Sequence, residues 1–191
     1  MTGPGAITVR ADAQRNRQRL LAAALRAFSS SEEKVTLEAI AKCAGVGIGT
    51  LYRHFPTREA LVEAVYRNEL EQLRVSAEDL LTSRRPDVAL RTWMDRFADY
   101  VAAKRGMAEA LRAVVASGAI SSSETRDVLT AAIRSLLDAA VVAGTVRFDV
   151  RADDVLASLT GVFLAAGAPQ QRDQAGRMLD LLMDGLRART G

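Results

Sequence analysis

The chain has 191 residues, of which 49% are hydrophobic, and its formal net charge is +3 at pH 7. A single cysteine excludes an internal disulfide and cysteine-pair zinc motifs, and with a single histidine as well we expect no metal and no cofactor. Because the N-terminus lacks a signal-peptide core and no apolar run reaches about 18 residues, we expect a soluble cytoplasmic protein without a membrane partner.

The positive charge is concentrated in the N-terminal part of the chain. Residues 1–58 contain nine Lys or Arg and four Asp or Glu, which gives a net charge of +5. Residues 59–191 contain 17 basic and 19 acidic side chains, a net charge of −2. A basic surface is what DNA phosphates require, but clustering of this size also arises by chance. The charge therefore supports a nucleic-acid interface only in combination with a motif.

The first eleven residues are predicted to form a flexible arm, because Gly3-Pro4-Gly5 disfavours regular structure. Basic residues begin at Arg10 and continue into the first helix, which we predict over residues 12–29. Such an arm can lie along DNA phosphates or reach a minor groove, and a solvated basic tail is the alternative. A polar loop over residues 29–34 should follow the first helix.

Two short helices joined by a tight turn are predicted between residues 36 and 55. Apolar residues at i, i+3, i+4 and i+7 form one face of the first of these helices, with Thr36 as its N-cap and Gly45 at its end. The second helix should run over residues 48–54, because Pro56 disfavours helical backbone at the residue before it. This arrangement is a helix-turn-helix, whose second helix enters the DNA major groove. Thr57 is a candidate cap for the helix that follows.

The second helix of the motif carries side chains suited to DNA. Leu51 and Phe55 lie four residues apart and should pack inward, which leaves hydroxyl, guanidinium, phenol and imidazole groups for base edges and phosphates. Two glycines leave room for the backbone to approach a phosphate. The predicted DNA-binding residues are Thr36, Gly47, Gly49, Thr50, Tyr52, Arg53, His54 and Arg58.

The run Ala-Gly-Val-Gly-Ile-Gly-Thr-Leu-Tyr-Arg-His-Phe-Pro-Thr-Arg-Glu-Ala-Leu, residues 44–61, resembles the DNA-binding segment of TetR-family transcriptional regulators. The likeness extends over roughly residues 14–66, about a third of the chain. It implies an all-α fold with an N-terminal three-helix DNA-binding domain over residues 1–58. It also implies a C-terminal helical domain over residues 59–191 that binds an effector and forms the dimer.

The resemblance implies a function as well. The chain is expected to be a ligand-responsive transcriptional regulator, a repressor that binds a palindromic double-stranded operator as a homodimer and is released by a small-molecule effector. Many family members carry Ser or Thr and then a basic or amide residue after the Gly-Val pair. Here Gly47 and Ile48 stand in those places. Polar base contacts are therefore expected further along the helix, from Thr50 to His54.

Six further helices are predicted after the motif, which brings the total to about nine. Apolar residues keep a helical period through each of them, and segments rich in Gly, Pro or Ser separate them. Ser122 or Ser123 is the expected cap of the fourth of these helices, and Asp149 or Asp153 that of the fifth. The predicted ranges are 57–81, 87–104, 107–116, 123–143, 152–166 and 170–189.

Aromatic and apolar side chains in the C-terminal part could line a cavity for the effector. Periodicity alone favours a simple core for them, whereas the family resemblance implies a ligand between these helices. An apolar or aromatic effector suits such walls better than a highly charged one; its identity is unknown. The predicted effector-binding residues are Trp93, Phe97, Tyr100, Met107, Leu111 and Phe163.

The last two helices carry apolar stripes that could pair with a second copy of the chain. Two such helices meeting their copies form a four-helix bundle, which resembles the family's dimer. The alternative is that both stripes only cover this chain's own core. The predicted interface residues are Val155, Leu159, Val162, Phe163, Met178, Leu182, Met183 and Leu186.

Other functions compete with a DNA-binding regulator. An all-helical enzyme with an incidental helix-turn-helix would need a carboxylate or metal-ligand cluster, and no such pattern is recognisable. His54 has no second histidine and no recognisable triad partners to make it a catalytic base. An interaction module that has lost DNA binding is opposed by the intact polar set on the second helix. Cys43 has no partner cysteine for a redox switch.

Overall fold

The computed structural model describes residues 4–29 and 35–188, which confirm the predicted all-α fold. This part of the chain contains nine α-helices, one short 3₁₀ helix (Pro169–Gln171) and no β-strand. The α-helices are α1 (Pro4–Ser29), α2 (Leu37–Ala44), α3 (Ile48–His54), α4 (Arg58–Ser83), α5 (Pro86–Gly106), α6 (Ala108–Ala116), α7 (Ser122–Val142), α8 (Ala152–Ala165) and α9 (Arg172–Leu186).

The first helix starts earlier than the sequence pattern predicts. α1 begins at Pro4 rather than at Asp12, so the described part of the expected flexible arm is helical. Proline is tolerated in the first turn of a helix, because its missing N–H would have no intrahelical partner there. Residues 1–3 of the expected arm and residues 30–34 of the expected loop lie outside the described residues.

The chain divides into two compact units. The first comprises the chain as far as Asn68 together with Ala103–Ile120, and the second comprises Glu69–Ala102 together with Ser121–Gly191. The unit that holds the helix-turn-helix therefore contains more than the segment 1–58. It includes the first eleven residues of α4, 58–68, and all of α6.

The end of α1 lies against the end of α5 within the first unit. A Cβ built on Gly106 would lie 2.2 Å from the carbonyl oxygen of Phe28, closer than any side chain can approach. Glycine is thus required for the two backbones to come this near. In the same unit Arg67 of α4 donates a hydrogen bond of 2.6 Å to the carbonyl of Ala119, just before the last residue of the unit.

The second unit is organised around a fully buried tryptophan. Trp93 of α5 donates its indole N–H to the carbonyl oxygen of Leu73 on α4 at 3.0 Å, so the polar edge of the ring is satisfied. Arg91, also on α5, donates to Asp180 on α9 at 2.8 Å. These two contacts connect α5 to α4 and to α9.

The connector between α7 and α8 is held by the end of α9. Val146 and Arg187 form an isolated antiparallel bridge. The amide of Arg147 donates to the carbonyl of Leu186 at 3.0 Å, and the amide of Ala188 donates to that of Thr145 at 3.2 Å. The connector therefore has regular backbone partners although it belongs to no helix.

Two predicted caps differ from the observed ones. The N-cap of α7 is Ser121, whose hydroxyl accepts a hydrogen bond from the amide of Glu124, rather than Ser122 or Ser123. Consecutive serines are chemically equivalent as caps, so a shift of one residue is invisible in the sequence.

At α8 neither aspartate serves as the cap. The capping position is Arg151, which makes no side-chain cap hydrogen bond. Asp149 instead accepts from the guanidinium of Arg147 at 2.7 Å. Asp153 lies in the first turn of α8, where its charge is favourable near the N-terminus of the helix, and it pairs with Arg126.

Candidate nucleic-acid interface

The α2–α3 turn has the cap geometry that the sequence predicts. The hydroxyl of Thr36 accepts a hydrogen bond from the amide of Ala39 at 3.2 Å and so caps α2. Gly45 ends the helix with a left-handed φ of 66°, and its amide bonds to carbonyls of the last turn. The side chain of Thr36 thus positions α2, and its predicted contact with DNA stays a prediction.

The inner side of α3 is fixed by two buried residues. Leu51 is fully buried and Phe55 nearly so, and the amide of Phe55 bonds to the carbonyl of Leu51 at 2.8 Å. The guanidinium carbon of Arg17 on α1 lies 5.5 Å from the centre of the Phe55 ring, within cation–π range. The short helix thereby gains its orientation from packing within the first unit, since seven residues do not form a stable helix alone.

The outer side of α3 presents most of the predicted DNA-binding residues. Tyr52 and Arg53 are exposed, and Thr50 and His54 are half-buried. The structure thus brings a hydroxyl, a phenol, a guanidinium and an imidazole onto one short helix, all on residues that do not form its core. Hydrogen bonds from such groups to base edges and phosphates are the usual means of DNA recognition.

The backbone at the start of the same helix is not covered by side chains. Gly47 and Gly49 are exposed, and a Cβ built on either would meet no atom within 4 Å. Ile48 stands between them and is also exposed. The sequence analysis assigned Ile48 no contact with DNA. Its position between two glycines could have indicated an apolar side chain with no neighbouring side chain beside it.

Arg58 lies differently from its predicted role as a phosphate contact. Its guanidinium donates a hydrogen bond to the carbonyl of Val35, and its central carbon lies 5.2 Å from the centre of the Phe28 ring. The side chain is half-buried. Arg58 therefore ties the start of α4 to the segment before α2, and its predicted phosphate contact stays a prediction.

The residues predicted to bind an effector are all buried, but they belong to both units. Four aromatic residues of the second unit form a cluster: Phe97 lies with its ring centre 5.8 Å from that of Trp93, 5.9 Å from that of Tyr100 and 5.8 Å from that of Phe163. Met107 and Leu111 belong to the first unit. The aromatic cluster is thus the part of the predicted set that the second unit itself assembles.

The residues predicted to form a dimer interface lie largely inside the chain. The predicted stripe of α8, namely Val155, Leu159, Val162 and Phe163, is buried, as is Leu186 of α9. Met178, Leu182 and Met183 are half-buried. The exposed face of α8 includes the small residues that the sequence favours for a close approach of two helices, together with one large apolar side chain: Ala157, Ser158, Gly161, Ala165 and Leu164.

The remaining candidates from the sequence are placed as follows. Cys43 is exposed, and its sulfur lies 3.9 Å from the guanidinium of Arg26. Among the described residues there is no group of three His, Cys, Asp or Glu side chains placed to hold a metal ion. None of the described helices combines the length and the apolar character needed to cross a membrane.

Two protein-family models match the chain. The model described as bacterial regulatory proteins of the tetR family matches residues 20–65, which include both α2 and α3. The model described as the C-terminal domain of SbtR-like transcriptional regulators matches residues 85–188. The second match alone covers more than half of the chain.

Known proteins resemble the chain over different lengths. The TetR transcriptional regulator SCO0520 from Streptomyces coelicolor is 52% identical, with a TM-score of 0.85 over 91% of this chain and 99% of that one. A TetR transcription regulatory protein from Mycobacterium vanbaalenii is 34% identical, with a TM-score of 0.75 over 94% and 99%. The HTH-type transcriptional regulator SAR0097 from Staphylococcus aureus is 36% identical over 74 residues, which span 38% of this chain and only 39% of that relative.

Proposed function

The chain belongs to the TetR family of transcriptional regulators, and we propose that it is a repressor that binds a palindromic operator as a dimer and leaves it when a small effector binds. The family is one of DNA-binding regulators, so the all-helical enzyme considered from the sequence is set aside. Repression, the dimer, the operator and the effector response form the proposal. A regulator of bacterial genes works where the chromosome is, and we accordingly place this protein in the cytoplasm.

One observation carries the proposed DNA contact: the division of α3 into a buried and an exposed side. Leu51 and Phe55 hold the helix from within, while Thr50, Arg53 and His54 remain available on a unit with an excess of basic residues. An arginine at this place can form two hydrogen bonds to a guanine, which is the commonest specific contact in the major groove. The proposal therefore assigns sequence recognition to the outer side of α3.

The dimer is proposed because one short recognition helix buries too little surface for tight operator binding. Two heads related by a two-fold axis would contact half-sites about 34 Å apart or a multiple of that distance. On α8, Leu164 is 77% exposed, and small residues one turn away permit a close approach. On α9, which packs against α8, Leu181 is 71% exposed. We propose that these outward faces, rather than the buried stripe, meet their copies in a four-helix bundle.

The proposed effector site is the aromatic cluster of the second unit. Its four rings are buried, and the indole N–H of Trp93 is already bonded to the Leu73 carbonyl, so this edge of the cluster offers no free polar group. An apolar or aromatic effector would find favourable contacts there, whereas a charged one would lose hydration without compensation. Such an effector would act by binding more tightly to a conformation that does not fit the operator.

The test is a gel shift with DNA from the promoter region next to the protein's own gene. We expect a discrete complex for the parent protein, and a loss of specific affinity of about 1–3 kcal/mol for Arg53→Ala. The matched control is Arg134→Ala, which removes an exposed arginine of α7 far along the chain and should bind like the parent. Repeating the assay with candidate apolar effectors should reveal one that dissociates the protein–DNA complex. Equal binding by all three proteins would refute the assignment of α3.

A further inference from the structure

The residues of α3 that are not buried form two chemically different flanks. A helix turns by about 100° per residue, so residues four apart share a flank. Thr50 and His54 therefore form a polar flank, and Ile48 and Tyr52 form a second flank on the other side of Arg53. By rotation Ile48 lies next to Phe55, yet at the start of the helix it is exposed. Ile48 is 37% exposed and Tyr52 is 45% exposed, in contrast to the buried Leu51 on the inner side.

Ile48 has no side chain on either neighbouring residue. Both its neighbours are glycines whose missing side chains would meet nothing within 4 Å, so no other side chain beside it keeps a DNA surface away. Ile48 is also the first residue of α3. Residues in the N-terminal part of a recognition helix are the ones that contact base edges in helix-turn-helix proteins.

We propose that Ile48, supported by Tyr52, recognises the C5-methyl group of a thymine in each operator half-site. This inference rests on the proposed function. The thymine methyl is the apolar group that base pairs present in the major groove, and apolar side chains contact it directly. The polar groups of other base edges would lose water against Ile48 without gaining a hydrogen bond, which disfavours them at that position.

The expected effect is that of burying one methyl group. Removing it from the DNA should weaken binding about fourfold per contact, the factor that corresponds to the transfer of one methylene-sized group from water. The effect should vanish when the isoleucine side chain is absent, since the methyl then has no partner. It should persist with valine, which keeps a branched apolar side chain at the same place.

The experiment is a uracil scan of the operator defined by footprinting. Each thymine is replaced in turn by deoxyuridine, which lacks only the methyl group, and affinities are measured for the parent, Ile48→Ala and Ile48→Val. We expect one symmetry-related pair of positions at which uracil weakens the parent and Ile48→Val but leaves Ile48→Ala unchanged. Circular dichroism checks that the variants fold; Ile48 is exposed, so they should.

Each outcome bears on the inference. Tight operator binding by the parent with no uracil-sensitive position overturns it, and so does a uracil effect of the same size in Ile48→Ala, because the methyl would then be contacted by another residue. Those results would leave the proposed regulator intact. Failure of the parent to bind any fragment of its promoter region would instead overturn the proposed function and this inference together.

Discussion

α3 and α8 both carry residues predicted to be functional, but the two helices place them in opposite environments. On α3 the predicted contacts Tyr52 and Arg53 are exposed, and the residues predicted to pack inward are buried. On α8 the residues predicted to meet a partner, such as Leu159, are buried in the chain's own core, and Leu164 lies outside.

The contrast has a physical cause. A polar or charged side chain gains little from the core, so its exposure on a helix with a known core side can be anticipated. An apolar stripe gains free energy equally from burial in its own chain and from burial against a partner. Residues of the first kind can therefore be assigned from the sequence, whereas the second kind require the three-dimensional packing of the chain.

The largest expected effects come from replacing two leucines of α8 by arginine, one that is buried and one that is exposed. Leu159 is fully buried, so Leu159→Arg should lower the free energy of unfolding by about 3–5 kcal/mol, as for an uncompensated buried charge. Leu164→Arg should leave the fold intact and yield monomers of 20.5 kDa. Thermal unfolding compares the stabilities of the two variants, at concentrations where both are monomeric. Sedimentation measures their oligomeric states.

The two leucines serve as controls for each other, because the substitution and the helix are the same. A folded, monomeric Leu159→Arg protein would show that the buried stripe belongs to the interface after all. A stable Leu164→Arg dimer would remove the outward face of α8 from the proposed contact. A folded, monomeric Leu159→Arg protein would mean that on α8, as on α3, the residues predicted from the sequence are the functional ones.

A smaller effect is expected on α3 from truncating its inner anchor. Leu51→Ala should destabilise the first unit by about 2–5 kcal/mol, because it leaves a cavity at a fully buried site. Arg53→Ala on the exposed side should change stability by no more than about 0.5 kcal/mol. Urea unfolding, followed by circular dichroism and by hydrogen exchange of the α3 amides, separates the two. Similar stabilities for both variants would mean that α3 is not held by its inner side.

The parts of the fold that the sequence predicted well are those set by local chemistry. Thr36 and Gly45 mark the two ends of α2 as expected, because a hydroxyl cap and a left-handed glycine act on backbone only a few residues away. The helical start of α1 was missed because Gly3-Pro4-Gly5 is compatible with a first turn as well as with a loop. At α8 the same apolar period fits a core or an interface, and only packing decides.

Arg58 shows most clearly where sequence reasoning ends. A basic residue just after the recognition helix is a natural candidate for a phosphate contact, and nothing in its neighbourhood along the chain argues otherwise. Its partners, the Val35 carbonyl and the Phe28 ring, lie 23 and 30 residues away. A long side chain can turn towards either DNA or protein, and the choice depends on this tertiary contact.

The smallest of the expected effects tests whether Arg58 positions the motif or contacts DNA. Arg58→Ala removes a charge-assisted hydrogen bond and a cation–π contact, and since the side chain is half-buried we expect a loss of about 1–2 kcal/mol in the free energy of unfolding. The dependence of operator affinity on salt should not change. A phosphate contact would instead lower the slope of log affinity against log salt by about 0.9 per contact.

Arg58→Lys is the matched control: it keeps the charge but not the planar group that stacks on Phe28, so it should lose part of the stability. A reduced slope for Arg58→Ala with unaltered unfolding would return Arg58 to the DNA-binding surface.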